Sequence, residues 1–159
     1  MATSSPIDMN TLVLQCVMSM KEIVQSIAAL QGKVVFVVDQ DDLVAQLKGV
    51  RSFPAAGIMY EGMRSRENDG QTAKLGISAD MVISIVVVNR GSDILNTDQT
   101  KLTSITLLDQ IRGKVIATRS PTGHFWRFVV EAAAAENEGV VFWVQRWSTP
   151  VQVVPTPAR

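Results

Sequence analysis

The sequence predicts an α+β fold: a single, mostly antiparallel β-sheet of about five strands with two long helices on one face. Three observations predict it. Apolar residues keep helical spacing over two long stretches, Leu12 to Leu30 and Leu102 to Ile116. Between and after them come short runs rich in Val and Ile, bounded by Gly, Pro and Asp. The last third of the chain reads as a hairpin, two apolar runs around the turn ENEG.

Taken in order, residues 1 to 10 are a small, polar lead-in whose Asp8 or Asn10 is placed to cap a helix. Leu12, Val13, Cys16, Val17, Met20, Ile23, Val24, Ile27 and Leu30 then fall on one helical stripe, with Gly32 as the stop. Val34 to Val38 is short and β-branched, the pattern of a strand buried on both faces. Asp39, Asp41 and Asp42 follow at the start of a short second helix whose apolar side is Leu43, Val44 and Leu47, where negative charge suits the helix dipole. Pro54 opens a second strand, about Ala55 to Tyr60.

From Glu61 to Gly76 the composition turns polar, mixed in charge and rich in glycine, which reads as a long mobile loop. Ala79 to Asn89 carries the longest apolar run and is the expected central strand. Arg90 to Asp98 is loop-like, and Thr97 or Asp98 can cap a third helix in which Leu102, Ile105, Leu108, Ile111, Val115 and Ile116 keep helical spacing to about Thr118. A turn at Pro121 and Gly123 leads to strands Phe125–Ala133 and Val140–Trp147. The Pro-rich tail, residues 148–159, is expected to be extended or partly disordered. No repeat and no second domain is visible in the 159 residues.

Composition excludes several classes. The 15 basic and 15 acidic residues cancel, which speaks against a strong general grip on nucleic acid or anionic lipid. Neutrality with 47% hydrophobic residues favours self-association, because charge repulsion between copies is weak. Cys16 is alone and forms no intrachain disulfide. The start MATSSPIDMN lacks the basic and apolar regions of a signal peptide, and no run approaches the roughly 18 apolar residues of a membrane span. A cytoplasmic protein is expected.

Catalytic or metal chemistry finds little support. His124 is the single histidine, and Cys16 lies on the apolar stripe of the first helix, where it reads as packing. The aspartates of DQDD read as helix caps, since Val44 and Val50 stand where a calcium loop needs Gly and Glu. No phosphate-binding loop is present. No cofactor and no metal is expected. A small enzyme or ligand-binding domain would have to build its site from Asp39, Asp41, Arg64 and His124.

Interaction surfaces are better supported. The 61–76 loop offers Glu61, Arg64, Arg66, Glu67, Asp69 and Lys74 to a partner. The hairpin carries Trp126, Phe128, Phe142, Trp143 and Trp147, too many aromatics for one core face, and a sheet apolar on both faces needs two covers. Val151 and Val153 of the tail add a segment able to join a neighbour's sheet edge. These seven residues are the expected subunit interface, with the first or third helix as the complementary patch.

The strand VVFVV, the phrase FPAAGIMYEGM opening the long loop, SIVVVNR, LLDQIRGKV and GHFWRFVVEA, in this order of elements over about residues 10 to 150, resemble tail terminator proteins of long-tailed bacteriophages. Neck and tail-completion proteins share the same α+β core. The resemblance implies a virion structural protein, assembled in the host cytoplasm into a hexameric ring at the head-proximal end of the tail. It would cap the tail tube, stop its polymerisation and present the surface to which the neck joins. Partners would be other copies of the chain, tail tube protein, and sheath and neck or connector proteins, with genome DNA passing through the channel without sequence-specific binding. The loops at 61–76 and 90–98 correspond to those that reach tube or neck.

Overall fold

A computed structural model of the chain describes residues 9–47, 52–66, 77–90, 97–137 and 140–153. Its elements in chain order are α1 (Met9–Gln25), a 3₁₀ turn (Ala28–Leu30), β1 (Val34–Val37), α2 (Gln40–Leu47), β2 (Ala55–Ser65), β3 (Ile77–Arg90), α3 (Thr97–Ile116), β4 (Arg127–Asn137) and β5 (Val140–Val153). The five strands form one sheet in the order β1-β2-β3-β5-β4. Three pairings are antiparallel and one, β1 with β2, is parallel. That pair is joined through α2, because parallel neighbours need a crossover.

One face of the sheet is covered by α1 and α3. Cys16, Met20 and Val24 of α1 and Leu107, Leu108, Ile111 and Val115 of α3 pack on alternate residues of β3, from Ala79 to Val87, and on Trp147 and Val151 of β5. All nine positions of the first apolar stripe are buried or half-buried. The α-helix nevertheless ends at Gln25, and the last two positions, Ile27 and Leu30, reach the core from the 3₁₀ turn ahead of Gly32, which has φ +71°. Burial pushes the Cys16 thiol up to about 11, so it acts as a packing group. Among the described residues no helix is long and apolar enough to cross a membrane.

The opposite face carries a smaller apolar cluster around Leu43 of α2, with Val37, Ala55, Val86 and Val88. Gly57 makes this approach possible: a Cβ there would lie 2.7 Å from Leu43 Cδ1. The aspartates ahead of α2 form a reciprocal cap. Asp42 N–H donates to Asp39 Oδ1 at 2.8 Å, while Val38 N–H donates to Asp42 Oδ2 at 2.9 Å. The Val38 bond first, and Gln46 second, hold the Asp42 carboxyl below its ordinary value.

Four expectations are corrected. β1 is an edge strand with Phe36 exposed, not a strand buried on both faces. β2 runs on through Glu61–Ser65 into the expected loop. Beyond Met59 it has lost its β1 neighbour, so polar side chains are tolerated, and Gly62 at φ +109° accommodates the register shift that lets pairing with β3 continue. β5 reaches Val153 because β3 begins early enough to pair with it, Ala79 with Val151 and Ile77 with Val153. Pro150 is accommodated where β4 no longer runs alongside. On α3 only Leu108, Ile111 and Val115 of the six spaced residues are buried; Leu102, Ile105 and Ile116 are exposed, and Thr100, Ser104 and Leu107 face inward instead. The Asn89 amide explains part of this rotation, donating to Ser104 Oγ and Thr100 O at the end of β3. Residues 91–96 of the second expected loop lie outside the described residues.

Candidate interaction surface

The hairpin strands differ in kind. β5 lies inside the sheet and its Trp147 is fully buried; β4 is the edge, eleven residues long and apolar from Phe128 to Ala134 except for Glu131. Width explains why β4 stays bare. Five strands at about 4.8 Å occupy roughly 24 Å, and two helices about 10 Å across cover roughly 20 Å. The packing follows this arithmetic: α1 packs chiefly on β1 and β2 and α3 on β3 and β5, and β4 lies beyond them. Phe128 and Val129 are each 45% exposed, and Val130, Ala132, Ala133 and Ala134 are exposed as well. Two register shifts, between Phe128 and Val130 and between Ala133 and Ala135, break the alternation expected for this strand.

Polar groups hold β4 to α3. Glu131, in the middle of the apolar run, pairs with Arg112, which also donates to Asp109 at 3.1 Å. The buried Gln145 amide donates to Glu131 Oε1 at 2.7 Å and to the Leu108 carbonyl at 2.9 Å, and its oxygen accepts from Trp147 Nε1 at 3.3 Å. Phe128 sits edge-on to Trp147, centroids 5.3 Å apart. Together these contacts fix β4 in place without covering it. Ile105 and Ile116, seven before and four after Arg112, extend the uncovered strip along the side of α3 that reaches β4.

The turn into β4 is also well tied. Ser120 N–H donates to His124 O at 2.7 Å, and the hydroxyls of Ser120, Thr122 and Thr149 bond to one another. Arg119 lies 4.5 Å over the Phe125 ring.

The expected interface residues therefore divide. Trp126, Trp147 and Val151 belong to the core of the single chain, at 6% exposure or less, and offer no surface to a neighbour. Trp143 and Val153 pack half-buried against the same core, and Phe142 against the cluster on the opposite face. Phe128 alone of the seven is exposed. Of the loop residues, Glu61 pairs with Arg146 across the sheet at 2.9 Å and Arg66 with Asp80 at 2.8 Å, so both are engaged within the chain. Arg64 is exposed on β2, and Glu67, Asp69 and Lys74 lie outside the described residues. The residues suggested for an enzyme site are not assembled. Asp39 and Asp41 stand at the start of α2 beside β1, whereas His124 precedes β4 at the opposite edge, roughly 19 Å of sheet away. Among the described residues no three His, Cys, Asp or Glu side chains come together as a metal site.

The residues that sequence reasoning missed are Glu131, Gln145 and Arg112. Their signal was a lone carboxylate in FVVEAAAA and a lone amide in FWVQRW, polar groups in apolar strands that need partners. Compared with known proteins, the chain matches no family model and no curated protein.

Proposed function

We propose that this chain is a structural subunit that assembles with copies of itself, and that the assembly is the ring that caps a phage tail tube. The observation that carries self-assembly is the bare β4: a long apolar edge strand is an open template, and proteins that stay monomeric shorten, charge or cover such edges. The tail reading draws on the resemblance in element order and phrases, and the edge is compatible with it. A ring of identical subunits closes through heterologous contacts, in which one patch on each copy meets a different patch on the next.

Two measurements test this. Native mass of the full chain should give a closed oligomer, six copies in the terminator reading; a monomer at every concentration would sink it. In a phage that encodes the chain, its removal should give tails of uncontrolled length that join no heads. Tails of normal length that fail to join heads would identify a neck or completion ring instead.

A further inference from the structure

Both edges of the sheet carry apolar side chains that the chain leaves uncovered, and both do so on the side of the long helices. At the β1 edge these are Leu14 and Met18 of α1 with Phe36; at the β4 edge they are Ile105 and Ile116 of α3 with Phe128. Leu14, Met18 and Lys21 share one flank of α1 by their spacing. Lys21 Nζ lies 4.6 Å over the Phe36 ring, so this flank overlooks β1.

The two edges also match in level and in charge. Phe36, Ile58, Ile85, Gln145 and Glu131 are successive partners across the five strands. Lys21 stands above the first of them, and Arg112, with Asp109 beside it, reaches the last. The β1 edge thus presents a single cation where the β4 edge presents Arg112 with two carboxylates, Glu131 and Asp109, the latter 79% exposed.

We infer that the edges cover each other between copies: the α1–β1 edge of one subunit closes over the bare β4 and the flank of α3 of the next, with Lys21 facing Asp109. A two-fold pairing of like edges would put the Lys21 edge and the Asp109 edge in separate interfaces and leave their opposite charges unmatched. A foreign partner would cover one patch, whereas a single head-to-tail contact covers both. The strand directions agree, since β1 and β4 run oppositely within the sheet and would meet antiparallel. The inference rests on the proposed self-assembly and specifies its contact.

The test is sedimentation velocity on the full-length chain, wild type and charge-reversed. Wild type should assemble beyond a dimer. Lys21→Glu and Asp109→Lys should each weaken association about tenfold or more. Mixing the two single variants, or combining both changes in one chain, should restore it to within about threefold, because the opposite charges face each other again. A variant that merely misfolds gives no such rescue. If the single variants associate like wild type, or mixing restores nothing, the placement is overturned while self-assembly stands. If the wild-type chain is monomeric throughout, both fall, and the edges belong to a different protein.

Discussion

The two edges of this sheet are finished in opposite ways. β1 is four residues long, carries Lys21 over its exposed Phe36, and hands the chain at once to α2 through the Asp39–Asp42 cap. β4 is eleven residues long, apolar from Phe128 to Ala134 except for Glu131, and lies beyond the strands on which α1 and α3 chiefly pack. A short strand beside a charge leaves little backbone for another strand to join, whereas β4 leaves a long run of it. The same sheet therefore has one edge that offers four residues of backbone beside the flank of α1 and one that offers eleven residues of mostly apolar strand. The contrast is also energetic. β4 is held by polar anchors to Arg112 and Gln145, while its inner neighbour β5 supplies the core.

The largest effect should appear where that contrast is steepest. Trp147→Ala should cost about 4 kcal/mol of stability in urea unfolding, as expected for a fully buried aromatic. Phe128→Ala, edge-on to the same ring but half exposed, should cost about 1 kcal/mol. Equal losses would mean that β4 is not bare. Under α2, next to the β1 edge, Gly57→Ala should cost about 1–3 kcal/mol, because the added methyl meets buried Leu43 and Val37 at 2.7 and 3.1 Å.

Removing the cap by Asp39→Ala should cost about 1 kcal/mol in thermal unfolding. Its partner adds a pH dependence whose sign follows from a lowered carboxyl value. The Asp42 contribution is present above the ordinary carboxylate value of about 4 and is lost as the pH falls through its lower folded value. Asp42→Asn should flatten that acid limb in a series of melting curves. The smallest change in stability should come from Val130→Lys, under about 0.5 kcal/mol because the side chain is exposed. It should still weaken association, since a lysine on the open edge opposes strand addition. Unchanged sedimentation would break the comparison of the edges.

Much of the fold was legible before the structure. The α1 stripe, the central β3, the capping aspartates and the hairpin all rest on local periodicity or local hydrogen bonding, which need only a few neighbouring residues. α3 was less legible because two apolar stripes compete on it, and Asn89 of another element helps select the one containing Thr100 and Ser104. The polar stretch after Tyr60 resembled a loop because a strand that has lost one neighbour can carry loop-like residues. Of the seven interface residues expected from the sequence, five lie on the inner strand β5, and only Phe128, on β4, is exposed. A count of aromatics places Trp126, Phe128 and Trp147 together, and a count does not say which strand is inside.

By itself the sequence determined the elements, their order and the excess of apolar residues in the final hairpin, since helix and strand periods are properties of neighbours along the chain. Only the tertiary structure decided which of those residues are left bare. Exposure depends on long-range register, on β5 inserting between β3 and β4, and on two helices being one strand too narrow for a sheet of five.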